Sequence, residues 1–226
     1  MEFGYRLWIT SSVRTYFSAR RAVPGPRWHD RRMTDAPRGR TAAFAVLSAG
    51  YVGPRTASTV AFVRDGELRL VVDPGMVPDR QAAILRPLAA AGATPDEITD
   101  VVFSHHHPDH TVNAALFQGA RYHDHWAVYY DDLWTDRDAE GFELSESVRL
   151  IRTPGHTRED ITTLVGTADG VVAFTHVWWH AGGPEEDPYA LDAKALSASR
   201  ERVLAVADLV VPGHGAAFVP GPSTPR

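Results

Sequence analysis

The run VVFSHHHPDH, residues 101–110, places four histidines and an aspartate directly after a short apolar stretch. A lone histidine is most often a surface or hydrogen-bonded side chain. Imidazoles packed this densely point instead to a shared cation, because a neutral ring nitrogen carries a lone pair that zinc and similar metals accept. The spacing H-x-H-x-D-H sharpens the inference. Side chains alternate along an extended segment, so His105 and His107 point the same way and can grip one cation. Asp109 and His110 follow the Pro108 turn and face a second position, whereas His106 points away and reads as structural or solvent-facing.

Two further histidines are set in the same manner. Thr153-Pro154-Gly155-His156-Thr157 and Pro212-Gly213-His214-Gly215 each place one imidazole just after a Pro-Gly turn that ends a strand. Around these elements, Ala43–Tyr51, Thr59–Asp65, Leu68–Asp73 and Thr99–Ser104 are expected as strands, with Asp65-Gly66 as a hairpin signal. Residues 79–92 are expected as a helix carrying a kink or register shift at Pro87, and Asn113–Phe117 as the start of another. Glu143–Arg152, Asp160–Gly166, Gly170–Thr175 and Val210-Val211 are the later strands. Residues 190–207 form a helix with Leu196, Val203, Leu204 and Ala207 inward and Arg200 and Arg202 outward. Hairpin-linked strands with helices in both halves predict a layered α/β protein with a mixed sheet.

Composition narrows the chemistry. Of 226 residues, 44% are hydrophobic and 23% charged, enough for a real core, and no cysteine is present, which excludes disulfides, thiolate metal sites and thiol nucleophiles. No apolar run reaches the roughly 18 residues of a membrane span, and no secretory signal is visible, so a soluble cytoplasmic protein is expected. Neither G-x-G-x-x-G nor G-x-x-x-x-G-K occurs, which leaves nucleotide cofactors without a motif, and the lack of G-x-S-x-G favours water over serine as nucleophile. Residues 1–40 hold nine arginines against three acids, while the whole chain is at −5, so a basic leader precedes an acidic body. The leader shows no periodic apolar face and reads as poorly ordered, with the domain at 41–222 and Met33 as a second plausible start. The acidic body argues against unassisted binding to a phosphate backbone.

Residues 42–220 resemble the metallo-β-lactamase fold hydrolases on H-x-H-x-D-H, the two downstream Pro-Gly-His elements in order, and Asp73 at the end of an early strand. The resemblance implies an αββα sandwich with metals at one edge. It implies that His105, His107 and His156 bind a first metal, that Asp109, His110 and His214 bind a second, and that Asp73 supports a ligand from behind. The family usually places Gly-Asp after the strand matching Gly170–Phe174, and that carboxylate bridges both metals. Here the chain reads Phe174-Thr175-His176, so His176 takes the bridging slot. A neutral imidazole can ligate one metal but does not replace a carboxylate bridge, and Asp187 or Glu185 is the alternative source of a carboxylate. Ser199–Phe218 and the compact size resemble a subgroup of animal members described as endoribonucleases acting on histone precursor RNA.

A cation held by three histidines with an open position lowers the pKa of its water to near 7. The expected activity is therefore metal-dependent hydrolysis of a small-molecule ester, thioester, lactone or amide, with Asp109 orienting the nucleophile or taking its proton. One or two zinc ions are the expected cofactor, with iron or manganese also compatible. RNA is the second choice of substrate, and a mononuclear iron oxygenase or a non-catalytic metal-dependent binder are the other classes. Trp178, Trp179 and His180 are candidates for the pocket wall, Trp178 and Trp179 equally for the core, and Asp160 for orienting a ligand loop or for a simple turn. His123, Asp124 and His125 read as a surface loop, and Glu185-Glu186-Asp187 as a solvated one.

Overall fold

Aliphatic and β-branched runs separated by turn residues become strands. In the computed structural model, which describes residues 35–226, β1 (Ala43–Ser48), β2 (Val60–Asp65) and β3 (Leu68–Val72) form an antiparallel meander. Gly66 turns the β2–β3 hairpin at φ 57°, a conformation that glycine adopts without strain. The chain then passes through a helical segment to β4 (Asp100–Val102) and on to β5 (Arg121–His123), each parallel to the strand before it in the sheet. β6 (Ala127–Tyr130) and β7 (Leu133–Asp136) complete a seven-stranded sheet in the order β1 to β7. A second sheet has the order β11-β10-β9-β8, from β8 (Val148–Arg152), β9 (Ile161–Thr167), β10 (Gly170–Thr175) and β11 (Leu209–Pro212).

The two sheets face each other across Val63, Leu70, Val102, Leu150, Val165 and Phe174. A fully buried side chain of this kind contributes roughly 1.5–3 kcal/mol, and this layer is one of three apolar clusters among the described residues that hold the body together. On the outer face of the first sheet lies a π-turn, Gln81–Leu85, that continues into α1 (Arg86–Ala90). The wider turn lies immediately ahead of Pro87 and takes up the register change that a residue without an N–H imposes inside this helical run. Ile84 and Leu88 point into the sheet. A short helix α2 (Pro108–Thr111) carries the histidine motif, and α3 (Ala193–Leu204) covers the second sheet with Leu196 and Val203. Helices outside and two sheets inside make an αββα sandwich, as expected.

Several expectations need correction. β5, β6 and β7 were not anticipated: their hairpin turns on Asp131 and Asp132, both at positive φ, which aspartate tolerates in place of the usual Asn-Gly. His123 and Asp124 are therefore buried rather than looped out on the surface. Arg200 and Arg202 do not face outward. Arg200 is buried, its guanidinium donating to the carbonyls of Val177, Pro184 and Glu185. Arg202 pairs with Asp35 and Glu140, and Asp35 is itself buried. Residues 35–40, assigned by composition to the leader, are thus fastened to the body, and so is the C-terminus, where the Pro225 carbonyl accepts from Trp178 Nε1. The leader expectation for residues 1–32 lies outside the described residues.

Candidate metal centre

Every histidine singled out by spacing sits where a strand ends at one edge of the sandwich. β4 runs into Ser104 and His105, β8 into the Pro154-Gly155-His156 turn, β10 directly into His176, and β11 into the Gly213-His214 turn. The two glycines are needed for close approach. A side chain at Gly155 would collide with Leu196 of α3, and one at Gly213 with the His176 ring.

The nitrogens converge. His107 Nδ1 lies 3.0 Å from His105 Nε2 and 3.1 Å from His156 Nε2. Asp109 Oδ2 lies 3.6 Å from His110 Nε2 and 3.7 Å from His214 Nε2. Between these groups stands His176, whose Nε2 is 3.0 Å from His214 Nε2 and whose ring centroid is 4.4 Å from that of His105 and 4.3 Å from that of His156. Among the described residues, His105, His156 and His176 form one set of three with donor atoms all within 4.8 Å of one another, and His110, His176 and His214 form another. His176 belongs to both. Neither alternative carboxylate reaches this centre: Asp187 binds the outer nitrogen of His156, and Glu185 is exposed.

The outer nitrogens decide which lone pairs face inward. His110 Nδ1 donates to Asp73 Oδ2 at 2.8 Å, His156 Nδ1 to Asp187 Oδ2 at 2.7 Å and His214 Nδ1 to the Ala57 carbonyl at 2.9 Å. Ser104 Oγ gives its only proton to Asp73 Oδ2 and so accepts from His105 Nδ1 at 3.1 Å. Acceptors behind the rings fix the tautomers, leaving a bare Nε2 on all four, the arrangement that raises the basicity of a metal-binding imidazole. Burial first, and the neighbouring imidazoles second, hold His105 and His176 well below their ordinary value and also lower His107. Burial and His110 lower His214 likewise, so these rings are neutral near pH 7. Two nitrogens of these rings, His110 Nε2 and His176 Nδ1, are buried without any hydrogen-bond partner. Six imidazoles, one carboxylate, preset tautomers and orphaned buried nitrogens fit one or two borderline-soft divalent cations.

Supporting residues complete the picture. Asp73, at φ 49°, also takes the Ser104 backbone N–H, fixing the start of the histidine segment. Asp160 orients the His156 loop by accepting from the Thr157 N–H and hydroxyl, and burial pushes its carboxyl up to about 7 against those two donors. His106 points away, hydrogen-bonded to Asp124 at 3.1 Å and stacked on Trp126. Trp178 is core, packed against α3, and His180 is exposed, so of the three pocket candidates only Trp179 lines the cavity of about 410 Å³ above the histidines. Asp187 was expected in a solvated loop. Its side chain is 2% exposed and holds both His156 and Trp179 Nε1, a role signalled by nothing in the acidic run itself.

Comparison with known proteins places the chain beside one superfamily. The family model of the metallo-beta-lactamase superfamily matches residues 53–214. A human protein named metallo-beta-lactamase domain-containing protein 1 is 31% identical over 227 residues, covering 93% of this chain and 76% of its own. The protein of the same name from Xenopus laevis is 32% identical, over 76% of this chain and 79% of its own. Among solved structures, a metallo-beta-lactamase-type protein from Thermotoga maritima superposes with a TM-score of 0.64 at 23% identity, over 80% of this chain and 100% of its own. An N-acyl homoserine lactone hydrolase, with its product at the catalytic metal centre, gives 0.58 at 16% identity over 77% and 93% of the two chains. A protein in a di-iron-bound form gives 0.56 at 22% over 76% and 93%.

Proposed function

The chain belongs to the metallo-beta-lactamase superfamily, and we propose that it is a metal-dependent hydrolase of a small-molecule ester, thioester, lactone or amide. The observation that carries this is the inward convergence of Nε2 lone pairs on His105, His110, His156 and His214, each of whose Nδ1 atoms already has an acceptor behind it. Neutral donors spread over four strand-end segments would be an expensive arrangement to bury without a cation. A divalent cation held there supplies Lewis acidity toward a carbonyl and a water acidic enough to attack at neutral pH.

The first position would be held by His105, His107 and His156, the second by Asp109, His110 and His214, with His176 donating between them. Asp109 faces the cavity and is the carboxylate placed to orient the attacking water or take its proton. Zinc is the first expectation and iron the second, since histidine nitrogen serves both and a protein of the same fold is known in a di-iron-bound form.

Elemental analysis of protein purified without added metal, alongside p-nitrophenyl acetate and bis-p-nitrophenyl phosphate hydrolysis, tests the proposal. Co-purifying metal, ester cleavage and loss of both on chelation are expected. Phosphodiester cleavage without ester cleavage would move the function to a nuclease, and a metal-free, inactive protein would end the proposal.

A further inference from the structure

We propose that the cavity selects an uncharged apolar acyl or aryl group, and that Asp187 is the positioning residue that ties the wall seating that group to His156. The inference rests on the hydrolase reading for the chemistry but on separate residues for its content. Beyond the histidines and Asp109, the described residues lining the cavity are Val52, Thr56, Thr157, Trp179, Tyr189 and Leu191. None is cationic. Anionic groups would be drawn to a bound cation, but away from the histidines no lysine or arginine lines the cavity to hold a second charge, whereas a neutral chain would meet aliphatic and aromatic surface there.

The mouth of the cavity is unusually apolar for solvent-facing residues. Tyr189 is 70% exposed, Leu191 68% and Val52 39%. The Tyr189 ring lies on Trp179 with centroids 5.8 Å apart and planes 14° from parallel. A stacked aromatic pair flanked by two exposed aliphatic side chains at the rim of a pocket is surface that an apolar ligand would cover with gain.

Asp187 joins this wall to the metal centre through one carboxylate. Oδ2 accepts from both His156 Nδ1 at 2.7 Å and Trp179 Nε1 at 3.1 Å, and Oδ1 accepts from the Tyr189 N–H at 2.9 Å. All three partners are donors, so an asparagine at this position could satisfy them only in part, with its amide N–H₂ turned against another N–H. The backbone reinforces the link: Leu191 N–H donates to the His156 carbonyl and Asp192 N–H to that of Gly155. Behind the segment, Arg200 holds the carbonyls of Val177, Pro184 and Glu185. The wall is therefore built to keep register with a ligand imidazole, which places an acyl chain on Trp179 and Tyr189 while its carbonyl faces the histidines.

Two measurements on the full chain with its own metal separate binding from turnover. Calorimetry gives Kd for neutral fatty amides of four to ten carbons and for the same chains ending in a sulfonate, an anion that ligates metals poorly. The p-nitrophenyl esters of the same chains give kcat and KM. Kd for the neutral series should fall about two- to fourfold per added methylene until the wall is covered, with the sulfonates at least tenfold weaker. Tyr189→Ser and Leu191→Ser, at exposed positions, should flatten that slope with metal content unchanged. Asp187→Asn should flatten it as well and weaken metal retention in a chelator competition, a pairing that a merely structural loss would not produce. A flat slope, or tighter binding of the charged chains, would overturn the pocket assignment even if the esters are cleaved. Steep chain dependence in binding with no ester cleaved would overturn the hydrolase reading and leave the pocket standing. An unchanged slope in Asp187→Asn would remove Asp187 from the inference.

Discussion

Two buried histidine–aspartate pairs, one in each half of the molecule, have the same 2.7 Å length and opposite meanings. In the first half, His123 Nε2 meets Asp100 Oδ1 inside the sheet, and the same carboxylate takes both Arg121 Nε and Nη2 at 2.8 Å. In the second half, His156 Nδ1 meets Asp187 Oδ2, and its Nε2 is turned toward His107 and the cavity. His123 Nδ1 has no partner at all and joins no other nitrogen. A carboxylate behind an imidazole therefore does not make a metal ligand. What distinguishes the pairs is where the remaining nitrogen points, and whether other lone pairs point there too.

The largest expected effect breaks that contrast if it fails. His156→Ala should remove metal from the first position and lower turnover by more than the roughly 10–100-fold typical of losing only a partner of a ligand. His123→Ala should leave metal content and kcat near those of the parent while lowering stability by about 2–4 kcal/mol, since it leaves a cavity and strips a donor from a buried carboxylate. Metal analysis and denaturant melts of the two variants decide it. Loss of metal in His123→Ala would show that the pairs are not different in kind.

Next in size is the packing of His176. Gly213→Ala adds one methyl where the His176 ring now lies, and the ring must shift. Metal affinity should fall about 10-fold or more, the scale of losing a group that orients a ligand, while the fold, read by circular dichroism, persists. His176→Ala should fall at least as far. His176→Asp should instead raise occupancy of the second position, because a carboxylate can place one oxygen on each of two cations. Equal metal stoichiometry in all three variants and the parent would make His176 a neighbour rather than a donor.

Much of this was legible in the residues, and the reason is locality. His105, His107, Asp109 and His110 declare themselves by spacing within one segment, and His156 and His214 by the Pro-Gly turns that precede them. Strand-end placement then brings them to one edge. Asp187 was not legible, because its partner His156 lies 31 positions away and an acidic run normally faces solvent. Arg200 reads as outward by helical period, yet three backbone carbonyls of a distant loop draw it inward. Trp178 and Trp179 are adjacent and look alike in sequence, but they take opposite sides of the chain, one to the core beneath α3 and one to the cavity. The hairpin of β6 and β7 hid behind Asp131-Asp132, a turn pair with no glycine to announce it.

The Asp100 cluster also gives the structural pair a pH dependence of its own. Burial alone would raise the Asp100 carboxyl, but hydrogen bonds from His123, Arg121 and Thr99 outweigh it and hold it at about 2. A depressed folded value means stability present above the ordinary carboxylate range and lost as pH falls through about 2. The difference from the ordinary value of 3.8 corresponds to about 2 kcal/mol near neutrality. Asp100→Asn should cost about that amount at pH 7 and progressively less in acid, with metal content equal to the parent's at each pH. A cost that stays constant from pH 7 to pH 3 would assign the loss to packing rather than to the charge.

The smallest effect belongs to the histidine that sits among the proposed ligands without being one. His106 lies between His105 and His107, yet its ring turns to the other side of the segment, where Nε2 meets Asp124 and the face stacks on Trp126 at 5.7 Å. Its side chain is 42% exposed, so water competes for this ion pair and screens it. Asp124 also keeps other donors, the Trp126 and Ala127 N–H groups and the Tyr129 hydroxyl, and is not orphaned when the ring is removed. His106→Ala should therefore cost less than about 1 kcal/mol and leave metal stoichiometry intact. Turnover should drop only as far as the neighbouring ligands gain freedom, within about threefold on the scale of such a surface contact. A melting curve and a metal count on this one variant test the principle drawn from the two buried pairs. If His106→Ala empties the site as His156→Ala does, then density of histidines, not the direction of their nitrogens, is what makes the centre.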